Sequence, residues 1–296
     1  MTSPLMPNTL DTICEPRENP FDVSEEWLKR AEVEVHEDHA QAKINKDKLR
    51  KLLLNEPNLN PRTDDPFLLA FLRARKHDVD KAFRMVLQYY EMRLKYPKYY
   101  EISIPSERWH VYSRVPHSIL EKRDSQGRSI LILRGRNMNP SYLTAEEIFS
   151  ALTTSAQFLM EDPKAQIAGI ILIIDLAGYT LNHMRLLTPR NVWIVINALQ
   201  DTFPVRTKAI HIVNNPFFFE ALYNCFKPFL KEKFRKRIKI HGKNMKSLHA
   251  FVEPKALPEE LGGEQSPYNN RSLCNQLNQN AAIVKEWSKY RYKKAK

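Results

Sequence analysis

AGIILIID, residues 168–175, is an aliphatic run that ends on an aspartate, and SILIL at 129–133 and KAIHIV at 208–213 repeat the pattern. Runs this short, rich in Ile, Leu and Val and bounded by polar residues, read as strands buried on both faces, the signature of a parallel sheet. Between them lie two helical stretches, TAEEIFSALTTSAQFLMED from Thr144 and TPRNVWIVINALQDTF from Thr188. Thr144 with Glu147 three residues on predicts a capping box. Strand–helix–strand alternation predicts an α/β domain with right-handed crossovers over residues 104–265, closed by Leu261-Gly262-Gly263.

Upstream the pattern is helical. Ser24 is placed to cap a first helix with Glu25 and Glu26 in its opening turn. A second short helix is expected from Asp47, a third from Asp65-Pro66 and a fourth from Asp78 to Pro97. Phe67, Leu68, Phe71 and Leu72 form one buried stripe on the third. Residues 22–100 thus read as a small all-helical domain. Residues 1–21, with four prolines, read as a flexible leader, and 266–296 as a polar and then basic tail ending EWSKYRYKKAK.

Composition narrows the function. The chain has 296 residues, 43% of them hydrophobic, which excludes a disordered polymer. No apolar run approaches the roughly 20 residues of a membrane span, and no signal peptide is visible. The three cysteines are far apart, as expected of a reduced, cytoplasmic chain. Glycine-rich phosphate motifs are absent. The net charge of +12 points to an anionic partner.

Residues 214–246, NNPFFFEALYNCFKPFLKEKFRKRIKIHGKNMK, show where that charge concentrates. A helix is expected to start at Asn215-Pro216. Phe219, Leu222, Tyr223, Phe226 and Leu230 then recur at helical spacing, with Phe218, Ala221, Cys225 and Phe229 as a second stripe. Pro228 predicts a kink. From Lys227 to Lys246 there are nine Lys or Arg and one acid, Glu232. A core helix followed by a solvated basic face is the commoner origin of such a pattern. The sharper reading is an apolar lid beside an anionic-lipid site. Burying a Phe gives about 1.5–3 kcal/mol and each cation at an anionic leaflet about 1 kcal/mol, which together make a reversible anchor. Lys233 and Arg237 share a helix face, and Arg206 and Lys208 one side of an extended segment, so the four cations are placed to meet one phosphate group.

Competing chemistries are weaker. His36 and His39 with Glu34 and Glu37 suggest zinc, but a solvated helix face explains them as well. Asp175, His183 and His211 lie near expected strand ends, yet no GxSxG nucleophile accompanies them, and Cys225 sits in an apolar helix, so no enzymatic activity is expected. The basic, aromatic tail would suit single-stranded nucleic acid, but the Phe-rich helix beside the larger basic cluster favours a membrane.

FLRAR (71–75), IIDLAGY (173–179), LTP (187–189), DTFPVRTKAIHIVNNP (201–216), KPFLKEK (227–233), RIKIHG (237–242) and LPEELGG (257–263) together resemble the CRAL-TRIO family, in particular its alpha-tocopherol transfer protein and retinaldehyde-binding branch. The resemblance implies a helical domain followed by an α/β lipid-binding domain, a mixed or mostly parallel sheet flanked by helices, with an apolar cavity under a helical lid. It implies one bound lipophilic ligand, such as a tocopherol, a retinoid or another lipid, and no other cofactor. A phosphoinositide head group is implied at Arg73, Arg206, Lys208, Lys233 and Arg237. The cavity is implied at Phe149, Leu152, Ala156, Ile174, Leu187, Ala198, Leu199, Phe203, Val205, Thr207 and Ile210. Phe217, Phe218, Phe219, Leu222 and Phe226 are expected to carry lid and membrane contact. Leu152 and Ala156 stand where the tocopherol carrier has serines. The expectation is a monomeric, cytoplasmic carrier that associates reversibly with membranes. The alternative is a phosphoinositide-dependent trafficking adaptor without net lipid transfer.

Overall fold

The computed structural model describes residues 23–293. The leader expected over residues 1–21, with Cys14, lies outside the described residues. Four helices follow: α1 (Glu25–Val35), α2 (His39–Leu54), α3 (Asp65–Ala74) and α4 (Val79–Lys95). Aspartates start three of them. Asp38, Asp64 and Asp78 each accept a hydrogen bond from a backbone N–H in the first turn. Ser24 stands at the first start, but its side chain makes no capping bond. The second helix begins eight residues before the expected Asp47. Asp38 caps it, and Ala42, Asn45, Leu49 and Leu53 extend its buried stripe. His36 and His39 therefore flank a break between helices rather than share a helix face, and His36 takes the left-handed conformation at φ +58°.

The sheet has five strands: β1 (His117–Ile119), β2 (Ser129–Arg134), β3 (Ile170–Asp175), β4 (Thr207–Val213) and β5 (Ile238–Gly242). They lie side by side in chain order; β1 runs antiparallel to β2, and β2 to β5 are parallel. The three aliphatic runs are the central strands. Between the strands come α5 (Ala145–Met160), α6 (Pro163–Ala168), α7 (Pro189–Asn197) and α8 (Phe219–Phe226). Thr144 and Glu147 form the capping box at the start of α5.

Strand order places the site. Strands that follow one another across a parallel sheet, joined by right-handed crossovers, put every crossover on the same face. The register aligns Leu131 with Leu172, Ile210 and Ile238, and Leu133 with Ile174 and Ile212. These residues face α5, α7 and α8. Alternate residues Ile130, Ile132, Ile171, Ile173 and Val213 face the other way, against Leu248, Val252, Leu257 and Leu261.

Residues 266–293 do not simply trail from the sheet. Helices α9 (Arg271–Gln279) and α10 (Ala281–Glu286), with the 3₁₀ turn that follows, bury Leu273, Cys274, Leu277, Val284 and Trp287 against Ile104, Val111, Tyr112 and Ile148. Arg291 and Tyr292 then pair antiparallel with Asn60 and Leu59.

Candidate functional site

The crossover face of the sheet is hollow. A cavity of about 340 Å³ lies between Leu133, Leu172, Ile174, Ile210, Ile212 and Ile238 of the sheet, Ile148, Phe149 and Leu152 of α5, and Asn191, Val192, Val195 and Ile196 of α7. Its wall is almost wholly hydrocarbon, as lipophilic ligands require. The few polar side chains at its edge are largely engaged. The Tyr99 hydroxyl donates to Asn191 Oδ1 at 2.7 Å, the Asn191 amide donates to the Leu186 carbonyl at 2.8 Å, and the Tyr179 hydroxyl donates to the His183 carbonyl at 3.3 Å.

Helix α8 closes the cavity. Phe219, Leu222, Tyr223, Phe226 and Leu230, the stripe read from helical spacing, all face inward. The helix begins at Phe219, three residues after Pro216. After Phe226 a 3₁₀ turn containing Pro228 breaks it, as the missing N–H of proline dictates. The expectation that Phe217, Phe218, Phe219, Leu222 and Phe226 form one membrane-contacting set divides here. Phe219, Leu222 and Phe226 turn to the cavity because they lie about one or two turns apart on one face. Phe217 is 94% exposed and Phe229 62% exposed, while Phe218 packs edge-on against Phe217. The Cys225 side chain lies outside what is described.

Cations gather beside the lid. The short helix Glu232–Arg235 turns Phe234 into the cavity wall and leaves its neighbour Lys233 exposed. The Arg237 carbonyl accepts from the Ile210 N–H at 2.9 Å, which fixes Arg237 beside Ala209, and its charge is felt at Arg206. The Arg237 guanidinium lies 5.8 Å from the Phe234 ring centre. Among the described residues neither Lys233 nor Arg237 has an acidic partner. Arg206 and Lys208 flank Thr207 at the start of β4, and both meet Glu34 of α1. Lys208 Nζ is 2.7 Å and Arg206 Nη2 3.5 Å from Glu34 Oε2. Gly169 lets the chain from Arg206 to Lys208 pass close to the end of α6. A Cβ there would sit 2.3 Å from the Arg206 carbonyl oxygen, and the φ of +84° suits only glycine. Burial lowers the Lys208 amine below its usual range despite Glu34, and Arg206 likewise.

Arg73 is not part of this group in the structure. It is 4% exposed, with Nε and Nη2 on Glu37 at 2.5 and 2.7 Å and Nη1 on Gln166 at 2.6 Å. Burial works to raise the Glu37 carboxyl, but the hydrogen bonds and charges of Arg73 and His77 outweigh it and leave it at about 2. This arginine holds the helical domain to α6, because a buried guanidinium needs its partners close.

The comparisons with known proteins agree with this architecture. The CRAL/TRIO domain pattern matches residues 115–263, and the CRAL/TRIO, N-terminal domain pattern residues 34–88. Clavesin-1 from Pongo abelii is 38% identical over 251 residues, 83% of this chain and 71% of its own length. Clavesin-2 from Homo sapiens is 38% identical over 251 residues, 83% of this chain and 76% of its own. The crystal structure of Sfh5 superposes with a TM-score of 0.52 at 14% identity, covering 83% of this chain and 99% of that one.

The chain belongs to the CRAL/TRIO family. Its helical domain and mostly parallel sheet are those the family resemblance implies.

Within this CRAL/TRIO chain, Phe149, Leu152, Ile174, Leu187, Leu199 and Ile210 line the cavity. Ala156, Ala198, Phe203, Val205 and Thr207 do not. Ala156, Ala198, Phe203 and Val205 belong to the core shared with α3 and α4. The Phe203 ring stacks on Tyr100 at 6.1 Å and meets Tyr89 edge-on at 5.7 Å, so aromatic side chains of the helical domain fill that end of the hollow. Thr207 is buried at the foot of β4, its hydroxyl without a partner among the described residues. Sequence reading missed Leu133, Leu172, Ile212 and Ile238; two-residue alternation from Ile174 and Ile210 gives Leu172 and Ile212, and only the register across the sheet carries the pattern to Leu133 and Ile238.

The groups considered for catalysis are engaged structurally. Asp175 accepts from Asn214 Nδ2 at 2.8 Å and from the Ala177 N–H. His183 Nδ1 accepts from the Thr180 N–H at 3.1 Å. His211 Nδ1 lies 2.8 Å from His241 Nε2 on the far face of the sheet. No helix among the described residues is long and apolar enough to cross a membrane.

Proposed function

We propose that this CRAL/TRIO protein carries one lipophilic molecule in the cavity beneath α8 and exchanges it at membranes that contain phosphoinositides. A hydrocarbon cavity roofed by an amphipathic helix, with the unpaired cations Lys233 and Arg237 at its edge, supports this reading. The cargo is mainly hydrocarbon, because Leu152 and the aliphatic strand residues offer a polar group almost no partner, and an unpaired buried polar group costs about 1–3 kcal/mol. The carrier is a cytoplasmic monomer and makes or breaks no bond. At the membrane the head group binds Lys233, Arg237, Lys208 and Arg206, and Phe217 and Phe229 enter the interface. Head-group binding opens the lid only in so far as it favours the open state over the closed one.

Vesicle-to-vesicle transfer, paired with mass spectrometry of lipid extracted from the native protein, tests the proposal. The wild-type protein is expected to yield one lipid class and to move it between vesicles. Charge reversal at Lys233 and Arg237 together is expected to abolish phosphoinositide-dependent binding and transfer. Binding without transfer would identify an adaptor; tight oligonucleotide binding that competes with vesicles would identify a nucleic-acid protein.

A further inference from the structure

Glu34 occupies the cationic notch as an anion would. It projects from α1, one residue before Val35 and three after Ala31, both fully buried. Ala31 and Val35 pack on Ile167, which fixes the helix and delivers Glu34 to β4. One carboxylate oxygen contacts Lys208 at 2.7 Å and Arg206 at 3.5 Å; the other accepts from Arg30 Nε at 2.7 Å. Burial works to raise this carboxyl, yet the hydrogen bonds of Lys208 and Arg30 hold it below the ordinary range. Three cations thus surround one carboxylate and leave a net charge of two unanswered. The charge of Arg30 is felt at both Arg206 and Lys208.

We propose that Arg30 is a further cation of the phosphate notch and that Glu34 holds the place of the phosphate until a head group displaces it. The inference rests on the phosphoinositide reading above. It assigns a residue of α1 to a site otherwise built from β4 and the segment before β5. A phosphomonoester brings about two negative charges where Glu34 brings one, and three acceptor oxygens where Glu34 has two. Displacement leaves Arg30, Arg206 and Lys208 converging on it. An internal competitor lowers the affinity of every incoming anion by the same factor, so Glu34 sets a threshold for occupancy rather than a ranking among ligands. Weakly bound monoanionic lipids then stay below the threshold, and phosphomonoester head groups pass it.

The experiment measures binding to phosphatidylcholine vesicles doped with phosphatidylinositol bisphosphate or, separately, with phosphatidylserine. Glu34→Gln keeps the shape and removes the charge. It is expected to tighten binding to both vesicles by a common factor of about five to ten. In the Glu34→Gln background, Arg30→Gln is expected to weaken bisphosphate binding about fivefold, a comparison that isolates the Arg30 contact with lipid from its contact with Glu34. Unchanged or weaker binding by Glu34→Gln would overturn the placeholder. No loss on adding Arg30→Gln would remove Arg30 from the site.

A second readout uses the wild-type fold. The Arg30 guanidinium lies 4.9 Å from the centre of the Trp27 ring. Adding soluble inositol trisphosphate is expected to change Trp27 emission as Arg30 turns to phosphate, and Trp27→Phe to remove that change. An emission unaltered both by saturating soluble head group and by bisphosphate vesicles would refute the proposal even where the α1 variants do not fold. A change with soluble head group marks the phosphate itself as what is read; a change with vesicles alone marks the membrane lipid as its source. If charge reversal at Lys233 and Arg237 leaves vesicle binding intact, the functional reading fails, independently of Glu34.

Discussion

The two faces of the sheet are made of the same residues and do opposite things. Ile171 and Ile173 look toward Val252, Leu257 and Leu261 and are fully buried in a filled core. Leu172 and Ile174, one position along, look into a hollow. Strand composition therefore does not decide which face holds a ligand. The covering layer does. Behind the sheet, the loops and short helices from Met245 to Tyr268 lie directly on the strands. In front, α5, α7 and α8 arch between strand ends and leave space beneath them.

Alanine substitution is the strongest way to break this contrast. Ile173→Ala opens a new void in close-packed surroundings and is expected to cost about 2–5 kcal/mol in urea denaturation. Ile174→Ala enlarges a void that already exists and is expected to cost less than about 2 kcal/mol. Equal losses would mean that the front is as tightly packed as the back.

Each face also buries a histidine held neutral. His117 on the front, 2.7 Å from Ser155 Oγ, and His211 on the back are both pushed down to about 4, chiefly by burial. A depressed pKa means that the unfolded chain takes up the proton first. The stability from these groups is complete above pH 6.5 and is lost as pH falls toward 4. For fully buried His117 the loss is expected to be about 3 kcal/mol. Denaturation midpoints measured from pH 7 to pH 4 check it, and His117→Gln is expected to flatten the slope. A slope unaffected by that substitution would remove His117 as a source of the acid sensitivity.

Filling the hollow gives the smallest stability change and the sharpest functional one. Ile210→Phe adds volume where space exists and is expected to shift stability by less than about 1.5 kcal/mol. In the same preparation it is expected to reduce the lipid recovered by extraction. Undiminished lipid in a folded Ile210→Phe protein would place the cargo elsewhere.

The sheet and the lid were legible in the sequence because each carries a periodic signal. The aliphatic runs mark β2, β3 and β4, and the stripe from Phe219 to Leu230 marks the inner face of the lid. Ion pairing was not legible. Arg73 and Lys233 read alike in the sequence, yet one is buried on Glu37 and the other is exposed. The partners of Arg73, Arg206 and Lys208 lie 36, 172 and 174 positions away, beyond any local spacing rule. The end of the cavity was likewise hidden. Phe203 looks like a lining residue until Tyr89 and Tyr100, from another part of the chain, are set against it.

The antiparallel pairing of residues 291–292 with 59–60 makes the carboxyl-terminal segment a buckle across the molecule. Asn60 Nδ2 donates to the Lys289 carbonyl at 2.9 Å, and the Tyr292 ring meets Tyr90 edge-on at 6.5 Å. A fragment trimmed to the last residue of the family match, Gly263, would keep every strand of the sheet and still come unfastened. Trp287 and Leu277 would no longer cover Tyr112 and Ile148, and the face of α5 that carries Ile148, Ala151 and Phe158 would be laid bare to water.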